Sequence, residues 1–152
     1  RYTSMRDECY QAKLWLNRNY YSSRQLDADK RMLAVIENII NSGVANYAND
    51  GTGGDSDAAR TRHEDKLLEY SMQRERVERE TKQLLAENEK TRRAIDKLED
   101  EDQKAVAINR YINRQKWNDI ADIIHISRAQ LFRVHDKMLE AMAKILREGV
   151  FE

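Results

Sequence analysis

Apolar positions recur every three or four residues through most of this chain, the period of a helix with one buried face. Leu26, Leu33, Ile36 and Ile40 keep that spacing, and Met32 and Ile39 widen the stripe. Leu14, Trp15 and Leu16 anchor an earlier piece. The polar patch "NRNYYSS" at 17–23 lies between them. Residues 4–44 therefore read as helix in two pieces, breaking or bending at that patch. The period disappears over 46–58, "NYANDGTGGDSDA", where glycine, asparagine and aspartate predict a flexible linker. Its "GTGG" lacks the lysine and Ser/Thr of a phosphate-binding loop and follows no strand, so the linker reading is preferred.

The pattern resumes at about residue 58, with Ser56 or Asp57 as a cap, and continues to residue 99. With Leu67 at heptad position a, the a series is Leu67, Arg74, Thr81, Asn88 and Ile95. The d series is Tyr70, Val77, Leu84, Thr91 and Leu98. This predicts one helix ~60 Å long. Polar a positions cost stability but can fix register and partner number. A seam this poor in apolar side chains needs a partner, either the 24–42 helix of the same chain folded back or a second copy. "LEDEDQ" at 98–103 suits the first turn of a new helix, where the dipole favours acids. Without a nearby histidine, capping is preferred to a metal cluster.

Two short helical patterns follow a helix expected at 103–113, with Val106, Ile108, Tyr111 and Ile112 on its apolar stripe. After the connection "RQK", "WNDIADII" places Trp117, Ile120, Ala121 and Ile124 on one face. "HIS" then turns the chain, with Ser127 as the cap of the next helix. In "RAQLFRVHDKM", Leu131, Val134 and Met138 form the buried face and Arg128, Gln130, Arg133 and Lys137 stay outside. That is the layout of a helix-turn-helix, whose second helix presents its N-terminal polar residues to the major groove. Arginine can fork to guanine and glutamine to adenine. Lys116, Arg114 and Ser127 are placed to hold phosphates, and Asn118 joins the candidate DNA-facing set. His125 stands where glycine is the easy choice, because positive φ is costly with a side chain. His135, beside the buried face, reads as a packing or hydrogen-bonding residue.

Composition supports this picture. The chain has 152 residues, 36% charged, and contains no proline, which permits long uninterrupted helices. The fold expected is all-α: N-terminal helices at 1–45, the linker at 46–58, a long coiled-coil-like helix at 59–100 and a helix-turn-helix domain at 101–152. With 27 basic and 27 acidic residues, net charge argues against broad nonspecific binding of nucleic acid. Residues 110–137, however, hold six basic residues against three acidic ones. Cys9 is the lone cysteine, which excludes an intrachain disulfide and fits a reducing, cytoplasmic setting. No apolar run approaches the ~20 residues of a membrane span, and no signal peptide is visible. No metal site, cofactor or catalytic constellation is expected.

The segment "LEDEDQKAVAINRYINRQKWNDIADIIHISRAQLFRVHDKMLEAMAKIL" resembles region four of bacterial sigma factors. The arrangement of the whole chain resembles the ArpU-like phage and prophage regulators of late transcription. "RYINRQKWNDIADIIHISRAQLFRVH" carries the specific part of that likeness. The resemblance implies a bacterial, nucleoid-associated activator that binds double-stranded DNA near promoters. By position it implies that Ser127, Arg128, Gln130, Arg133 and Lys137 face DNA. His125 replaces the family's usual turn glycine. No segment resembles the sigma region that binds the −10 element, so a regulator is expected rather than a complete sigma factor. A homodimer through the long helix could bring two reading heads to two half-sites. Two other functions compete: a terminase small subunit in DNA packaging, and a coiled-coil protein whose "RAQLFR" face grips RNA polymerase.

Overall fold

The computed structural model describes residues 4–49 and 56–149. Six α-helices follow one another among the described residues: α1 Met5–Leu16, α2 Tyr20–Asn49, α3 Ser56–Ile95, α4 Glu101–Ala107, α5 Trp117–Ile124 and α6 Arg128–Arg147. A short π-helical segment, Ile108–Ile112, continues α4. The fold is all-α, with no strand among the described residues. No described helix is long and apolar enough to cross a membrane. The break expected at 17–23 falls at 17–19, where the Tyr20 amide donates to the Asn17 carbonyl at 2.9 Å. Of the segment read as a linker, 46–49 and 56–58 are helical. Ser56 and Asp57, expected to cap α3, are its first two residues. The "GTGG" at 51–54 lies outside the described residues.

The chain forms two compact units, one from Tyr21–Leu84 and one from the residues up to Tyr20 together with those from Leu85 onward. In the first, α2 of the same chain supplies the partner that the long helix needs. Leu26 and Ile36 of α2 are buried. Gln73 of α3, also buried, donates from Nε2 to the Asp29 carbonyl of α2 at 2.9 Å. This changes the seam read from the heptads. Leu67 and Arg74, expected inside, are exposed, while Gln73, one position before Arg74, is buried and Lys66 is half-buried. By Glu80 and Thr81 both positions are half-covered. The heptad fit gave weight to apolar Leu67. The structure covers Gln73 instead, because a buried amide costs little once its hydrogen bond is made.

Beside this bond the Glu80 carboxyl meets that of Asp29, and Glu80 Oε2 is buried with no hydrogen-bond partner among the described residues. Burial, then the bond to Asp29 and its charge, pushes the Glu80 pKa up, against Arg76 and Arg79. The same bond from Glu80, aided by Gln25 and Gln73, holds Asp29 below the usual carboxylate range.

The other unit has two adjoining apolar clusters. The larger joins Ala12 and Leu16 of α1, Ala94, Ile95 and Leu98 at the end of α3, Ala107 and Tyr111, and Met138, Leu139, Met142 and Ala143 of α6. Arg18 fixes the α1 end: it donates to the Trp15 and Glu87 carbonyls, each at 3.0 Å, and lies 3.9 Å over the Trp15 ring. The acidic run behaves as a cap. Asp100 Oδ1 accepts the Gln103 amide at 2.9 Å, and Glu101 and Asp102 fill the first turn of α4.

Glu80→Gln places an amide donor beside Asp29 and removes the titrating group. A raised carboxyl pKa contributes stability at low pH that is lost as pH rises through the folded-state value. The variant is therefore expected to gain melting temperature over the parent as pH increases. A gap independent of pH in paired thermal melts would contradict the raised Glu80 pKa.

Candidate nucleic-acid interface

The second apolar cluster is what aims α6. Val106 of α4, Ile120 and Ala121 of α5 and Leu131 of α6 are buried together. Trp117, Ile124, Ile126 and Val134 close around them. All three helices thus share one small core, and the residues that do this are those the period placed on the inner faces.

The connection from α5 to α6 is His125, Ile126 and Ser127. His125 adopts φ 58° and ψ 46°, the left-handed conformation. Its amide and that of Ile126 both donate to the Ala121 carbonyl, the latter at 3.1 Å. This satisfies an end-of-helix acceptor and brings the chain round at once. Ser127 then caps α6: its Oγ accepts the Gln130 amide at 3.2 Å, and Gln130 Oε1 accepts the Ser127 amide at 3.2 Å. This reciprocal pair is a capping box. The turn therefore brings Ser127 to the cap despite the histidine.

Behind the face, the Tyr111 hydroxyl meets His135 Nε2 at 2.6 Å. The edge of the Trp117–His135 pair has a centroid distance of 4.8 Å. Burial, with Lys13 and Arg110 adding to it, lowers the His135 pKa to about 4, so the ring is neutral at pH 7. Burial pushes Tyr111 up to about 12. The π turn sits on this contact: the Asn113 amide reaches back five residues to the Ile108 carbonyl at 3.0 Å.

The structure sorts the expected contact residues into three groups. Ser127 at the cap of α6, and Arg128, Gln130, Arg133 and Lys137 on it, are all exposed. Lys116, the cap residue of α5, and Asn118 are exposed as well. Arg114 stands apart. It has φ 58°, is half-buried, and donates from Nη1 to Asn17 Oδ1 at 3.3 Å. Its guanidinium lies 5.6 Å over the Tyr20 ring, and burial lowers its pKa. Arg114 thus packs within its own unit, not with the phosphate-holding residues among which the sequence placed it. Within the exposed group the side chains are not equally available. Gln130 has its carbonyl oxygen in the cap, Arg128 leans over the Phe132 ring at 5.6 Å, and Lys137 pairs with Glu140 at 3.5 Å. Among the described residues no hydrogen bond, ion pair or ring contact holds Arg133. Sequence reasoning missed Arg110, which donates to the Gln115 carbonyl at 2.9 Å and covers Trp117 at 4.3 Å. It also missed the role of Gln130, although the "SRAQ" spacing is a capping-box signature.

Two outcomes test this geometry. His125→Gly removes the side chain from a left-handed position and is expected to stabilise the protein by about 1 kcal/mol in denaturant unfolding. A loss of stability would mean that the imidazole makes a contact worth more than the strain. For His135 the folded pKa lies below the unfolded one, so the unfolded state binds the extra proton first. Stability from the neutral ring is present above about pH 6.5 and is lost as pH falls towards about 4. His135→Gln should flatten that acid slope in thermal melts, and an unchanged slope would contradict it.

Neither the curated proteins nor the solved structures yield a match to this chain. One family model matches residues 50–143, a stretch that includes α3, α4 and α5, the turn, and most of α6. Because that match covers more than half of the chain, the chain belongs to the family described as "Protein of unknown function (DUF1492)".

Proposed function

We propose that this protein is a sequence-specific DNA-binding transcription regulator, a helix-turn-helix protein that reads the major groove with the N-terminal half of α6. The observation that carries this reading is the state of Arg133: an exposed arginine with no partner among the described residues, on a helix whose opposite side is locked into the core. An arginine held this way gives up no contact with its own described residues on binding and can fork to guanine O6 and N7. Arg128 and Lys137 add positive charge on the same helix, and no acid precedes Asp136. Lys116 and Asn118 at the start of α5 are the phosphate contacts that fix register without reading sequence.

The resemblance to phage late-gene regulators and to sigma region four supports a setting in a bacterial host at promoters, with RNA polymerase as a candidate partner. In the Tyr21–Leu84 unit the covered line of α3 is taken up by α2, so a homodimer requires another face. Met32, Val35 and Ile39 form an exposed apolar line on α2 for it.

Selection of bound sequences from random DNA, followed by binding at several salt concentrations, tests the function. Arg133→Ala should cost ~1–3 kcal/mol and relax preference at one base pair. Lys116→Ala should weaken all sequences alike and reduce the salt slope by about 1. Recovery of no motif by the parent protein would overturn the reading.

A further inference from the structure

Arg133 has a neighbour on the outer line of α6 that contributes no charge and no hydrogen bond. Ala129 and Arg133 each lie two residues from Leu131, roughly 200° around the helix at 100° per residue. Leu131 is fully buried, so both face directly outward, stacked four residues apart. Ala129 is exposed. The side chains on either side of it are drawn away: Arg128 towards the Phe132 ring, and Gln130 back onto Ser127. A bare methyl group is left at the front of the helix, close to its capped N-terminus.

The capping box also limits what Gln130 can read. An adenine fork needs the glutamine oxygen to accept from N6 and the nitrogen to donate to N7. In this structure Oε1 already accepts from the Ser127 amide and the Ser127 hydroxyl, so an adenine N6 would have to compete with both for its two lone pairs. The residue two positions before Leu131 has no such commitment. A short side chain also lets the helix backbone approach the groove floor. There the 5-methyl of thymine is the one apolar group that an alanine methyl can meet. The axial rise from Ala129 to Arg133 is ~6 Å, one to two base steps along a strand.

We propose that Ala129, rather than Gln130, is the specificity-determining neighbour of Arg133: its methyl packs on the 5-methyl of a thymine one to two base steps from the guanine forked by Arg133. The proposal rests on the DNA-reading function above and refines which residues at that site read which group.

The test replaces each thymine of the selected site, one at a time, by deoxyuridine, which removes only the 5-methyl. The parent should lose about fourfold in affinity at one position, the worth of a buried methyl-sized group. Ala129→Gly should bind the thymine and uracil sites equally, with helicity checked by circular dichroism. Ala129→Gln, a good helix former at an exposed site, should lose the same preference and guards against a folding defect in the glycine variant. Gln130→Glu, which preserves the capping box, should weaken binding without changing preference at any adenine. The proposal is overturned if the parent tolerates every uracil, if the Ala129 variants keep the discrimination, or if Gln130→Glu shifts an adenine. A parent that selects no sequence at all overturns the DNA-reading function itself, a result distinct from specific binding that ignores uracil.

Discussion

Tyr111 and His135 meet inside the protein, where a hydroxyl or an imidazole left alone would lose its water and gain nothing. Joined at 2.6 Å, they satisfy each other. Their position gives the bond more than local weight. Tyr111 belongs to the cluster that holds α1, the end of α3 and the far part of α6. Trp117, which packs its edge on His135, belongs to the cluster that holds α5 and the near part of α6. One neutral histidine therefore couples the two cores, and the direction of α6 depends on both.

The outward face follows from that inward arrangement. Because Leu131, His135 and Met138 are fixed, the residues between them have no freedom to choose a side. Arg133 is exposed by position, not by its own chemistry. The same constraint explains why neighbouring polar groups are spoken for: near a helix start, unfilled amides recruit whichever acceptors are close. Ser127 and Gln130 serve the helix, and the residues one step further round remain open to an outside partner.

Much of this was legible in the residues. The apolar period of α5 and α6 and the serine before Arg128 sufficed to locate both helices and the turn. The acid run at 98–103 located the start of α4. What escaped has physical reasons. A heptad reading ranks positions by hydrophobicity, so it preferred Leu67 to Gln73 and had no means to see the hydrogen bond to Asp29. Arginine has a long apolar stem and can be drawn inward as easily as outward, so nothing in the sequence around Arg114 shows that its guanidinium sits with Asn17 and over Tyr20. The pairing of Asp29 with Glu80 joins residues far apart in sequence and leaves no local pattern.

The π turn at Ile108–Ile112 has a consequence for chain length. In an α-helix each residue advances ~1.5 Å and turns the chain by about 100°. A π turn absorbs one additional residue in a single wider loop, so Ile108–Ile112 holds a surplus residue, while the flanking turns keep their own phase. Deleting one residue there would let the segment close as ordinary α-helix, with the turns on either side still in phase. What would be lost is the wide turn that carries Tyr111 to His135. The segment is thus a place where the chain spends a residue on the position of one hydroxyl.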